Sequence, residues 1–267
     1  MMKNEKTRGL PLKASLQPIL TLGLLVMALM ASLSVIGLAL ADRLYPIEEF
    51  IQSFMTNDLV NLLLGVPVLA AALWLAGRGK PNGLFLLPGS MLYVVYNSLA
   101  YVFGRPFDLY SGGHLALILI CVFAAYFTFS RMDHAAIQAK LGDKIPVKLS
   151  GWVLAGFGLL FFFRAVAVFA GSETVAVPEV GVLVADMVLS VLLVAGGVML
   201  LRRKAVGVAA GLGLLYAASM LFVGLIVLMA VQAVLNHTAL LVVDMLVVLV
   251  MGTVCFVPFA RYLKSCG

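Results

Sequence analysis

The sequence has little charge and little cysteine, and each shortage excludes a class of protein. Charged residues make up 11% of the 267 residues, whereas hydrophobic residues make up 63% and the mean hydropathy is +1.12. A soluble domain is typically about one quarter charged, so the composition excludes a soluble globular fold. The three cysteines show no C-x-x-C spacing, which argues against a dithiol–disulfide active site.

Several catalytic signatures are also missing from the sequence. It contains no glycine-rich phosphate loop, which excludes an ATP-driven machine. It also contains no H-E-x-x-H zinc-protease motif and no G-x-S-x-G hydrolase elbow. A retinal protein of the bacterial type needs a lysine deep in its last span, and residues 240–260 contain none. We therefore expect no cofactor and no metal site.

Long apolar runs account for most of the chain. About 20 residues cross a bilayer as a helix, and eight runs reach roughly this length. They are residues 19–41, 59–77, 84–103, 114–130, 151–170, 180–201, 205–232 and 240–260. The sequence therefore predicts an all-α polytopic membrane helical bundle of about eight transmembrane helices, with residues 1–267 as a single domain.

The first apolar run could be a signal peptide, because Ala39-Leu40-Ala41 resembles a small-residue cleavage site. Its 23 apolar residues exceed the usual ~7–15 of a signal peptide. An uncleaved span is favoured.

The positive charges lie almost entirely in alternate loops. Segments on the side of the amino terminus hold fifteen of the eighteen Lys and Arg residues, and the opposite loops hold only Arg43 and Arg105. Those opposite loops carry seven of the twelve acids. By the positive-inside rule, both termini are expected in the cytoplasm and the protein in the cytoplasmic (inner) membrane of a bacterium or archaeon. The net charge of +6 then reflects membrane topology and does not indicate nucleic-acid binding. The expected partner is the lipid bilayer.

Apolar residues recur at helical spacing before the second span, at Ile47, Phe50, Ile51, Phe54 and Met55. We expect a short amphipathic helix here, either lying at the membrane interface or packed over the spans as a connection.

The chain also carries a weak internal repeat. Residues 78–83 align with residues 202–207 at an offset of 124, and residues 114–117 align with 237–240 at nearly the same offset. Parallel repeats of this kind occur in transporters. We interpret residues 1–140 and 141–267 as two repeat halves.

Three charged residues fall within apolar runs. Arg164 lies in the fifth run, Asp186 in the sixth and Asp244 in the eighth. At about 1.5 Å per residue, all three are expected roughly 8–9 Å below the outer surface. Charges inside a membrane usually pair or face a wet cavity. One arginine and two aspartates leave one negative charge, which a proton or a bound cation would balance.

Other polar residues lie at similar depths and complete the candidate ligand-binding or ion-coupling set. Tyr93, Tyr96 and Asn97 form one stripe of the third span; the remaining members are Asn61, His114 and His237. We expect a polar cavity open to the outer side. Interhelical bonds that merely hold spans together are the structural alternative, and Tyr101 and Tyr110 are expected in the interfacial aromatic belt.

Small residues predict close helix packing. Gly207 and Gly211 form a G-x-x-x-G pattern, which lets helices approach within one chain or between two. We favour packing within one chain, and a homo-oligomer is the alternative.

Several stretches resemble a family of polytopic membrane proteins of bacteria and archaea. They are residues 61–67, 74–79 and 93–97, together with the Asp186 span and its Arg202-Arg203 end. The resemblance implies the polytopic fold and no particular reaction.

These observations favour a transporter that binds a small or amphiphilic ligand and is coupled to protons or cations. The alternatives are a membrane-embedded enzyme acting on a lipid or lipid-linked substrate, with Asp186 or Asp244 as base, and a non-catalytic subunit or sensor. Whether the protein is an enzyme stays open.

Overall fold

A computed structural model of the chain describes residues 10–171, 174–235, 239 and 242–266. Within these residues, eight helices are long and apolar enough to cross a membrane. This confirms the all-α polytopic bundle. The membrane helices are α1 (Gln17–Ala39), α3 (Glu48–Gly77), α4 (Pro81–Phe103), α5 (Leu109–Ser130), α7 (Val147–Gly171), α8 (Val177–Leu201), α9 (Ala205–Leu235) and α10 (Val242–Cys266). Two short helices, α2 (Ala41–Leu44) and α6 (His134–Leu141), lie between spans.

Contacts between helix ends define two ends of the bundle. At one end, Gln232 at the end of α9 donates to Gln52 O near the start of α3 at 2.8 Å. We name this the acidic end, because Asp42, Glu48 and Glu179 lie there. At the other, basic end, Gln138 of α6 donates to Arg203 O at 2.7 Å.

The helix α3 begins eleven residues earlier than the apolar run predicts. The separate amphipathic helix expected before the second span is instead the first part of α3, which is continuous from Glu48 to Gly77. The reason is that the apolar face of this stretch packs inside the bundle, where Phe50 and Phe54 are 6% and 2% exposed.

Two π-helical turns interrupt α3, at Ile51–Met55 and Asn61–Gly65. The second turn directly precedes Pro67, whose ring lacks an N–H and clashes with the carbonyl four residues earlier. A wider turn relieves this clash without ending the helix. The segment Thr56–Val60 is therefore regular α-helix held between two irregular turns.

The centre of the bundle consists of α4 packed between α5, α8, α9 and the end of α3. Most of the α4 side chains are buried. The helix continues through Pro88. By contrast, α10 is the most peripheral span, packing mainly on α9. This arrangement decides which polar residues can meet.

Candidate functional site

Arg164 and Asp186 form an ion pair between α7 and α8. Arg164 Nη1 donates to Asp186 Oδ2 at 2.7 Å, and the Tyr96 hydroxyl of α4 donates to Asp186 Oδ1 at 2.8 Å. Glu179 Oε1 lies 3.9 Å from Arg164 Nη2. The Asp186 side chain is 4% exposed, whereas that of Arg164 is 47% exposed. The carboxylate is held from two helices, while the guanidinium keeps access to the surface.

Small residues bring α7 and α8 close enough for this pair. A Cβ added at Gly151 would lie 3.1 Å from Gly197 O, and one added at Gly158 would lie 2.9 Å from Ser190 O. Both distances are shorter than ordinary van der Waals contact, so larger side chains would push the helices apart. Glu179 and Asp186 are seven residues apart and share one face of α8, which points both carboxylates toward Arg164.

The pair lines a cavity of about 630 Å³. Helices α3, α4, α7, α8 and α9 surround it. Its polar lining at the acidic end consists of Glu49, Gln52, Ser53, Asn57, Glu179 and Gln232. Its apolar lining includes Phe161, Val182, Leu221, Phe222, Leu225 and Leu228. The cavity therefore combines a polar, charged mouth with an apolar wall.

Toward the basic end, contact between α4 and α9 closes the cavity. A Cβ at Gly89 would overlap Gly213 O, and a Cβ at Gly213 would lie 3.0 Å from Phe85 O. Nearer the cavity, the Tyr93 hydroxyl fills the space beside Gly224, where a Cβ would lie 3.0 Å from it. The cavity is thus accessible from the acidic end and blocked by close backbone packing below.

The predicted stripe of the third span faces this cavity. Tyr93, Tyr96 and Asn97 all line it. The Asn97 side chain donates to Tyr93 O at 3.0 Å, and Tyr96 contacts Asp186. Five predicted residues, these three with Arg164 and Asp186, therefore meet at one site.

Asp244 does not join them, which corrects the expected trio. Asp244 lies in the first turn of α10 as the structure describes it, and its side chain is exposed. It is not part of the cavity lining. The predicted His237 lies outside the described residues. Asn61 is buried on α3, away from the cavity lining, and its Oδ1 accepts no hydrogen bond from the described part of the chain.

A second polar cluster surrounds Asp58, which the apolar pattern places at the start of a span. Asp58 is fully buried and accepts hydrogen bonds from Tyr45 at 2.5 Å and from Tyr101 at 2.7 Å. Tyr110 lies 3.3 Å from its Oδ1. Tyr101 and Tyr110 are buried, so their expected place in an aromatic belt was wrong. The shared position of three tyrosines at span ends on one side was the signal that could have predicted this cluster.

His114 belongs to the Asp58 cluster and not to the cavity. Its ring stacks on Tyr101 with centroids 4.0 Å apart and planes at 3°. The side chain is buried, and neither ring nitrogen has a partner among the described residues. His114 is thus separated from the Arg164 site by α4.

The eight apolar helices of the described residues indicate a multi-pass membrane protein, and five of them surround the polar cavity. Comparisons with family models, with curated proteins and with solved structures found no match to the chain. The resemblance to bacterial and archaeal membrane proteins therefore stays a prediction.

Proposed function

We propose that this protein is a transporter whose cavity binds a small amphiphilic cation. The observation that supports this most is the cavity lining, which contains three carboxylates, those of Glu49, Glu179 and Asp186, and one guanidinium, that of Arg164. The excess of carboxylates attracts positive charge, and the focusing effect of low-dielectric walls strengthens that attraction. Aromatic and aliphatic side chains in the rest of the lining suit an apolar body.

The hydrogen bonds of the Asp186 carboxylate favour a role in ligand binding over a role in catalysis. Both of its oxygens already accept hydrogen bonds, from Arg164 and from Tyr96. The side chain is also only 4% exposed, which leaves little of it within hydrogen-bond reach of a substrate proton. Asp186 is better suited to hold the cavity wall and its charge than to abstract a proton.

The shape of the cavity favours transport. It is accessible at the acidic end and closed by the α4–α9 contact at Gly89 and Gly213. Alternating access requires one state that is open to one side of the membrane and a second state that is open to the other side, with the binding site between them. We further propose the cytoplasmic membrane as location, with the basic end and both termini in the cytoplasm, because Lys and Arg concentrate at that end. The cavity then faces outward.

Two probes of similar size and opposite charge test the binding step. Benzyltrimethylammonium should raise the melting temperature of the purified protein in a concentration-dependent manner, whereas phenylmethanesulfonate should not. Glu179→Gln should weaken the cation effect about tenfold or more, because it removes one negative charge from the lining. Asp42→Asn, an exposed acid at the same end outside the lining, is the matched control. Equal effects of both probes would contradict a cation site.

Proteoliposomes test the transport step. Uptake of benzyltrimethylammonium should saturate and should fall strongly in Arg164→Ala, because loss of the guanidinium leaves Asp186 buried without its ion-pair partner. Arg43→Ala, an exposed arginine at the same end, should retain uptake. Binding without uptake would favour a sensor or subunit, and a changed compound without uptake would favour an enzyme.

A further inference from the structure

Asp58 is a fully buried carboxylate whose partners are hydroxyls and not cations. Tyr45 donates to Oδ2 at 2.5 Å, Tyr101 donates to Oδ1 at 2.7 Å, and Tyr110 lies 3.3 and 3.4 Å from the two oxygens. In the described chain, no Lys, Arg or His nitrogen lies within 4.0 Å of this carboxylate. A buried charge without an opposite charge is costly, so a proton is the natural means of neutralising it.

Two of the tyrosines have a second acceptor within reach. The Tyr101 oxygen lies 3.1 Å from Phe54 O, and the Tyr110 oxygen lies 3.1 Å from Leu33 O. Each hydroxyl has one hydrogen and can also accept. When Asp58 is ionised, these hydrogens point to the carboxylate. When Asp58 is protonated, one tyrosine hydroxyl can turn its hydrogen to the main-chain oxygen, and its own oxygen can accept a hydrogen bond from the carboxyl O–H. Both charge states are therefore satisfied without moving a heavy atom.

Close packing around Asp58 excludes a larger cation. A Cβ added at Gly37 of α1 would overlap Asp58 Oδ2 and would lie 2.5 Å from the Tyr110 hydroxyl. A metal ion needs several oxygen ligands arranged around a volume of its own. A proton needs no such volume.

Several elements bring titratable and charged groups to the cluster. Three tyrosines contact Asp58 directly, namely Tyr45, Tyr101 and Tyr110. His114 stacks on Tyr101, and Arg105, which pairs with Asp108, lies 5.8 and 5.3 Å from the Tyr45 and Tyr110 rings. Burial and the neighbouring Asp58 raise the pKa of Tyr45 far above its usual value, so this phenol keeps its proton and acts as donor. Arg105 donates to Leu44 O and to Asp108. Facing Asp58, α1 contributes Ser34 and Gly37, which do not titrate.

The cluster and the cavity share one helical segment. Thr56–Val60 lies between the two π-helical turns of α3, and its Asn57 and Val60 line the cavity while Asp58 faces the tyrosines. Phe54 also lines the cavity, and its ring packs on Tyr101 with centroids 5.1 Å apart. Irregular turns of this kind concentrate at functional sites. A change of charge at Asp58 can therefore alter the electrostatic potential at one wall of the cavity without a change of backbone.

We propose that Asp58 reversibly binds a proton from solution within its tyrosine cluster, and that this proton controls ligand affinity in the cavity. The proton adds to a carboxylate oxygen and changes the charge of the cluster by one, with no other bond made or broken. Binding of the proton stands on the cluster alone. Control of affinity rests on the proposed function of the cavity.

Infrared titration of the purified protein tests the proton site. A carboxylic acid C=O band should grow as pH falls, should be lost in Asp58→Asn and should remain in Asp186→Asn. Tyr101→Phe and Tyr110→Phe each remove a donor to the carboxylate, so each should raise the apparent proton affinity up to about tenfold, which is one pH unit. Tyr126→Phe is the control, because this tyrosine is 71% exposed and lies outside the cluster.

The phenylalanine variants keep the carboxyl group, so they test the site even if Asp58→Asn fails to fold. A band that persists in Asp58→Asn, or that responds to Tyr126→Phe as strongly as to Tyr101→Phe, would overturn the proton site.

Benzyltrimethylammonium binding measured against pH tests the control of affinity. In the wild type, the affinity for the probe should change over the same pH range as the infrared band of Asp58. In Asp58→Asn, the affinity should not change over that range. An Asp58 titration in a protein that binds no probe would overturn the cavity proposal and leave the proton site standing. Probe affinity in the wild type that is independent of the titration would overturn the control of affinity alone.

Discussion

Asp108 caps the N-terminus of α5 by accepting a hydrogen bond from the Ser111 backbone N–H at 2.8 Å. Arg105 donates to its other oxygen, also at 2.8 Å. Burial acts to raise the pKa of this carboxyl, but the bond from Ser111 and the charge of Arg105 outweigh burial and hold the pKa below its usual value. At the scale of single residues, Asp108 therefore stabilises the folded state in its ionised form.

Asp108→Ala should lower the free energy of unfolding near neutral pH by about 1 kcal/mol, the usual value of a helix cap. Because the folded pKa is depressed, this contribution is present above the unfolded pKa of about 3.9 and is lost as pH falls through the folded one. Thermal unfolding in detergent at neutral and acid pH measures the difference. Asp42→Ala, an exposed acid of the same end, should have little effect. An equal loss at both pH values would contradict the assignment.

The ion pair illustrates what residue-level reasoning could predict. Arg164 and Asp186 were predicted to share a depth, and they lie 2.7 Å apart. Asp244 was predicted at that depth too, yet it is exposed on α10, which packs at the periphery of the bundle. Depth follows from position in an apolar run, whereas direction around the helix axis depends on which helices are neighbours.

At the scale of elements, the turns α3–α4 and α8–α9 have the same hydrogen bonds. The N–H groups of Arg78, Gly79 and Lys80 donate to Trp74 O, Ala76 O and Leu75 O, and those of Arg202, Arg203 and Lys204 donate to Val198 O, Leu200 O and Met199 O. All six positions correspond at an offset of 124. These bonds form the Schellman motif, which ends many helices, so the internal repeat stays a prediction.

One position of these turns differs in its strain. Gly79 has φ 74°, and Arg203, at the matching position, has φ 51°. A side chain in this left-handed region costs roughly 1–2 kcal/mol, whereas glycine does not pay this cost. The second turn is therefore the less stable one.

Arg203→Gly should raise the free energy of unfolding by about 1 kcal/mol, because relief of this strain exceeds the loss of an exposed ion pair with Asp143. The adjacent Arg202 has φ −79°, so Arg202→Gly should be neutral or destabilising. Thiol reactivity during heating measures both, since Cys121, Cys255 and Cys266 are buried. Stabilisation by both variants, or by neither, would argue against strain at Arg203.

At the scale of the whole molecule, α4 and α9 meet through glycine backbones at Gly89 and Gly213. This contact joins the two predicted repeat halves and closes the cavity below. Gly89→Ala should lower the melting temperature, because the added Cβ would overlap Gly213 O. Gly156→Ala is the matched control in α7, where a Cβ meets nothing within 4 Å. It should be neutral or stabilising, since alanine favours helix by up to about 1 kcal/mol. Similar melting temperatures for both variants would contradict close packing at this contact.

Composition and periodicity alone determined the membrane class and the eight spans, because these depend on local apolar length. Only the tertiary structure decided that α3 begins at Glu48, that Asp58 lies among tyrosines and that Asp244 stands apart from Arg164. In a chain that is apolar on nearly every face, hydrophobicity does not specify which face of a helix is inward. Close contacts of small residues and a few buried polar groups make that choice, and they act between segments distant in sequence.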